Sequence, residues 1–185
     1  MDPRIEILIA AVIVIVAIVV AVVAVRQRRR AKLRQQFGPE YDRTVREVGP
    51  AKAENVLLAR EKRVEKFSLR RLTPEEQQTF ANEWRAVQTR FVDDPRGAVA
   101  EADLLVERLM QARGYPVSDF EQRAADISVS HPQVVENYRA AHGIALRHRE
   151  GQATTEDLRN ALIYYRSLFT ELLETAPPTS RKAVA

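Results

Sequence analysis

The chain has 185 residues, with 29 Lys and Arg against 25 Asp and Glu, a formal charge of +4 and no Cys. One hydrophobic core is the natural count at this length, and the missing cysteines exclude disulfides and thiolate sites and suit a cytoplasmic address. The basicity is confined to the N-terminal part: residues 35–185 sum to about −1, which excludes a domain that binds polyanions by charge alone.

Residues 1–6 form a short N-terminus in which Asp2, Arg4 and Glu6 nearly cancel. From Ile7 to Val25 the chain is an unbroken run of Ile, Val, Ala and Leu, nineteen residues long. As a helix that run spans roughly 28 Å at about 1.5 Å per residue, close to a hydrocarbon core of ~30 Å, and it predicts a transmembrane helix. A basic collar follows over residues 26–36, with Arg26, Arg28, Arg29, Arg30, Lys32 and Arg34 and no acid among them. Positive residues stay on the cytoplasmic side, so a single-pass protein is expected, with its C-terminal domain in the cytoplasm and its N-terminus outside. The competing reading is a signal peptide cleaved near Val22-Val23-Ala24, with the domain anchored or secreted outside the cytoplasm. It is disfavoured because the apolar run is too long and the charge lies on the wrong side of it. The six collar cations are expected to touch lipid headgroups, each contributing around 1 kcal/mol near an anionic leaflet. Specific nucleic-acid binding is not expected, since no aromatic side chain is interleaved among them to stack on bases.

Gly38-Pro39 and Gly49-Pro50 interrupt any helix leaving the collar, and residues 37–72 read as a helical spacer: a short helix over 40–48 and another over 51–66, with Ala53, Leu57, Val64 and Phe67 on one side. A helical domain is expected over 73–175. Thr73-Pro74-Glu75-Glu76 is a capping box with Pro at the first helical position, and Phe80, Trp84, Val87 and Phe91 then recur on one face. Asp93-Asp94-Pro95 restarts the chain, Val99, Ala102, Leu105 or Val106, Leu109 and Met110 mark the next stripe, and Gly114 closes it. Ser118-Asp119-Phe120-Glu121 predicts a helix to about Ile127, Ser130-His131-Pro132-Gln133 a second to Arg149, and Thr154-Thr155-Glu156-Asp157 a last one with Leu158, Tyr165, Leu168 or Phe169 and Leu172 inside. Residues 176–185 have little to bury and read as a disordered tail.

No segment alternates convincingly enough to be a strand, so the fold class is all-α: one N-terminal transmembrane helix followed by a small helical bundle or array. The chain carries no GxxxxGK[ST] phosphate loop, no GxGxxG, no GxSxG elbow and no HExxH, and no cofactor is expected. The histidines do not form a metal site on one helix. His142 and His148 lie about 240° apart, and His131 and His142 are separated by about 16 Å along an axis.

Polar residues of specific type concentrate between Arg113 and His142. Arg113, Asp119, Glu121, Arg123, Asp126, His131, Tyr138, Arg139 and His142 are too many for one solvated face. They are expected either to lock two short helices, with Asp126 or Glu121 pairing Arg123 or Arg139, or to form a ligand or partner site. Phe37-Gly38-Pro39-Glu40-Tyr41-Asp42, Arg90-Phe91-Val92-Asp93-Asp94-Pro95, and the run from Arg113-Gly114-Tyr115-Pro116 to Tyr138-Arg139-Ala140-Ala141-His142 resemble a family of bacterial proteins with one N-terminal transmembrane helix, over most of residues 37–174. The resemblance implies a bacterial inner-membrane protein and supplies no catalytic role. The function expected is that of a non-enzymatic, membrane-anchored module that binds a protein partner at the cytoplasmic face; the alternative is an enzyme whose site lies between helices.

Overall fold

A computed structural model describes the backbone of residues 3–175 and the side chains from Ile13 onward. Among the described residues the chain forms eight helices and no strand: α1 (Pro3–Phe37), α2 (Pro39–Val48), α3 (Pro50–Val64), α4 (Pro74–Asp93), α5 (Pro95–Ala112), α6 (Phe120–Ser130), α7 (Pro132–Arg149) and α8 (Thr155–Glu174). The all-α expectation holds. The tail expected at 176–185 lies outside the described residues.

The expected transmembrane helix is corrected. Among the described residues no helix is long and apolar enough to cross a membrane. Among the described side chains the apolar stretch, Ile13 to Val25, runs straight into Arg26, Arg28, Arg29 and Arg30, so a span of membrane length that starts there carries four charges into the hydrocarbon. The rest of the span expected at 7–25, and the N-terminus at 1–6, lie outside the residues whose side chains are described. The helix continues through the collar and stops only at Gly38, whose φ of 50° is a left-handed conformation that glycine adopts without steric cost.

Local chemistry explains where the other helices begin. Thr73 Oγ1 accepts the Glu76 N–H at 3.2 Å while the Glu76 carboxylate accepts the Thr73 N–H at 2.8 Å, a complete capping box on α4. Asp94 caps α5 by accepting from the Gly97 N–H at 2.9 Å, and Thr154 and Asp157 form the reciprocal pair that opens α8. Two starts differ from expectation. The cap of α6 is Asp119, which accepts from the Gln122 N–H at 2.9 Å, because its carboxylate outcompetes the Ser118 hydroxyl for the first-turn donors. Ser130 is the last residue of α6 rather than the cap of α7. His131 occupies that position without a side-chain bond to the first turn, and Pro132 alone sets the helical φ.

The main core gathers the inner faces of α4, α5, α6, α7 and α8. Fully buried Val106, Leu109, Ile127, Tyr138, Tyr165 and Leu168 lie at its centre, with α8 packed on both α5 and α7. Trp84 is 6% exposed and stacks on Phe169 with ring centroids 4.7 Å apart, which joins α4 to α8. A second, smaller core joins the end of α1 to the spacer helices: Leu33, Phe37, Tyr41 and Leu57 are buried together, and Val129 of α6 packs against them. Residues 37–72 are thereby fastened to the body by their own apolar contacts. Truncating a buried Trp typically costs about 3–5 kcal/mol, so Trp84→Ala is expected to lower the free energy of unfolding in urea by that order, with a lower midpoint, while preserving helical circular dichroism in the absence of denaturant. A midpoint equal to wild type would place the indole outside the core.

Candidate functional site

The polar residues singled out in the sequence divide among three places. The first is centred on a residue outside that set, Glu40 in the first turn of α2. Glu40 is completely buried, and its Oε1 accepts from Arg60 Nη1 at 2.7 Å and from Arg139 Nη2 at 3.1 Å. Arg139 also donates to Glu121 at 2.7 Å, and Arg60 reaches Ser128 Oγ at 3.5 Å. One carboxylate therefore connects α2 with α3 and α7, and through its arginines with α6. Beside it, buried Asp126 accepts from Arg63 Nε at 3.1 Å and from Gln122 Nε2 at 2.7 Å. Burial raises the Asp126 pKa, and the bonds from Gln122 and Arg63 oppose the shift. Of the expected pairings, Glu121 with Arg139 is present, whereas Asp126 pairs with Arg63 of α3.

The second place is the interior between α5, α6, α7 and α8. Arg123 Nε donates to Tyr138 Oη at 3.2 Å, and its Nη1 donates to the Ser118 carbonyl at 2.6 Å. Burial pushes the Tyr138 phenol up to about 12, so it stays neutral at physiological pH. His142 lies flat on Phe120, with ring centroids 3.6 Å apart and planes 7° apart. Burial lowers the His142 pKa, with Asp103 acting against the shift. This is a packed interior with aromatic faces on several sides, and Tyr138 and His142 are both part of it.

The third place is the α6–α7 junction and the end of α5. His131 Nδ1 lies 3.1 Å from Glu171 Oε1 of α8, and burial holds the ring below its ordinary pKa. Arg113 is buried and donates from Nη1 to the carbonyls of Leu172 (2.8 Å) and Thr175 (2.5 Å). Asp119 stands apart from all three places as the cap of α6. Among the described residues no group of three or more His, Asp or Glu is disposed to hold a metal ion.

The collar divides as well. Arg30 pairs with Glu54 at 2.6 Å and Arg34 with Asp42 at 3.1 Å, which ties α1 to α3 and α2. Arg26, Arg28, Arg29 and Lys32 make no ion pair among the described residues. Comparison with protein families, with characterised proteins and with solved structures finds no match to this chain.

Sequence reasoning missed Glu40, Arg60 and Arg63. One signal was available: Arg60 sits three residues after Leu57 and four before Val64, within the apolar stripe of α3. A cation on that stripe requires a buried acid opposite it. Removing one partner of a buried pair costs about 3–5 kcal/mol, and Glu40→Ala is expected to destabilise the full chain by that order in urea unfolding. The double variant Glu40→Ala/Arg139→Ala should cost less than the sum of the single ones. Strict additivity, or a wild-type midpoint for Glu40→Ala, would remove the lock.

Proposed function

We propose that the chain is a non-enzymatic helical module that engages a protein partner through the apolar stretch of α1, with the partner contributing an apolar helix face bordered by acidic residues. The observation that carries this reading is Ile13–Val25. Ile13, Ile15, Val16, Val19, Val20 and Val23 are all about half exposed, on every side of the helix, and no other described element covers them. Contiguous exposed apolar surface of this kind marks an interaction site. Charge complementarity supports the acidic border, because Arg26, Arg28 and Arg29, without ion-pair partners among the described residues, follow the apolar stretch directly. The other end of α1 is fixed to the body by Leu33, Phe37 and the ion pairs of Arg30 and Arg34, so the stretch is presented on a braced support. The polar groups between Arg113 and His142 fit this role as the bracing of the support.

Photo-crosslinking from position Val19 in the native cell tests the proposal. A discrete adduct with one protein is expected, which mass spectrometry identifies by an apolar helix with acidic flanking residues. Changing Arg26, Arg28 and Arg29 together to Gln should lower its yield. Adducts with lipid alone, no adduct, or a yield indifferent to the three arginines would contradict it.

A further inference from the structure

His131 is the single residue between α6, which ends at Ser130, and α7, which begins at Pro132, and its backbone, with φ of −131° and ψ of 55°, is not helical. Its buried side chain reaches a third element: Nδ1 lies 3.1 Å from Glu171 Oε1, in the last turn of α8. An ionised carboxylate can only accept, so in the neutral ring Nδ1 carries the proton and Nε2 keeps a lone pair. Nε2 is buried with no hydrogen-bond partner among the described residues. A proton added there creates a buried N–H without an acceptor and a cation in an enclosed place, and both are costly.

The charges that face the ring come from two elements. Glu171 favours the protonated ring, but its side chain is 41% exposed and screened by water, whereas the ring is enclosed. Arg113, at the end of α5, acts against a second cation. Tyr115 beside Arg113 is kept neutral, its phenol pushed up by burial, and Asp126 is engaged by Arg63 and Gln122. Burial outweighs Glu171 and holds the His131 pKa below its ordinary value. A ring that binds its proton less well docked than released makes docking complete above about pH 6.5 and weaker as the pH falls below it. The end of α8 is placed to respond locally, because side chains clasp it: Arg113 holds the carbonyls of Leu172 and Thr175, Gln77 holds that of Leu173, and His131 is the member of the clasp that ionises near neutral pH. Phe169 and Leu172 are buried on the same segment, and Phe169 carries the stack with Trp84.

We propose that His131 is an acid-sensitive latch: with its ring neutral it ties the α6–α7 junction to the end of α8, and protonation at Nε2 releases the last turns of α8, uncovering Phe169 and Leu172. The latch does not depend on what the apolar stretch of α1 binds. Trp84 is the single tryptophan of the chain and loses its Phe169 neighbour on release. In the full chain its fluorescence is expected to shift reversibly to the red on acidification from about pH 8 to about pH 5, the window in which histidine ionises, while helical circular dichroism changes little. His131→Asn, whose amide can donate to Glu171 but takes up no proton, should hold the emission of the neutral form across the window, and His142→Asn should leave the transition in place. Glu171→Gln, a change at a partly exposed residue, weakens the bond to Nδ1 and should move the midpoint to higher pH; it keeps the test valid if His131→Asn fails to fold. Constant emission down to about pH 5, a transition that persists in His131→Asn or stays in place in Glu171→Gln, or one that His142→Asn abolishes, would overturn the latch. So would loss of helical circular dichroism at the same midpoint, which is global unfolding rather than release of one helix end.

Discussion

The carboxylate of Glu40 is the point on which the arrangement of the molecule depends. A charge removed from water costs several kcal/mol unless it is paired and hydrogen-bonded, and Glu40 is paired through Oε1 with two arginines from separate helices, Arg60 and Arg139, while its Oε2 is buried with no hydrogen-bond partner among the described residues. Neither arginine is free to leave without stranding the acid. Because Glu40 sits two residues past Gly38, in the first turn of the helix that follows α1, the same pairing fixes the exit of α1 from the body. The small core of Leu33, Phe37, Tyr41 and Leu57 supplies the apolar part of that junction, and Asp126 with Arg63 supplies a second polar contact on the same side. Hydrophobic burial makes the junction stable, and the ion pairs give it one register rather than several.

The helices were legible because their punctuation is local. Thr73, Asp94, Thr154 and Gly114 act within four residues of themselves, and the structure finds helix boundaries at each. Phe80, Trp84 and Val87 were legible as a face for the same reason: helical periodicity is a short-range signal. Ser118 and Ser130 were misread as caps because a neighbouring group won. An ionised Asp119 was one residue away from the first, and the second was absorbed into the preceding helix. Chemical type also carried information about the polar set. Arg113, Asp126, His131, Tyr138 and Arg139 are all enclosed or nearly so, whereas Asp119 and Glu121 of the same set are exposed.

Partner identity was not legible. Arg139 and Glu40 are 99 residues apart and Asp126 and Arg63 are 63 apart, and no local pattern specifies a pairing over such a distance. The bonds of Arg113 to the Leu172 and Thr175 carbonyls were hidden for a related reason. Which carbonyls a guanidinium can reach depends on where α8 ends, and that is a property of tertiary packing. The apolar run is the plainest signal in the chain, yet periodicity and length do not encode that the helix carrying it is braced against the body by Arg30 and Arg34.

The central claim is that Glu40 makes α1 and the body one unit. The chain has no cysteine of its own, so two spin labels can be placed without background, one on exposed Gln27 of α1 and one on exposed Leu104 of α5. Pulsed dipolar measurement of the distance between them should give a single narrow distribution in the otherwise wild-type chain and a broad one when Glu40→Ala is added. A broad distribution with Glu40 in place, or a narrow one that survives its removal, would contradict the account.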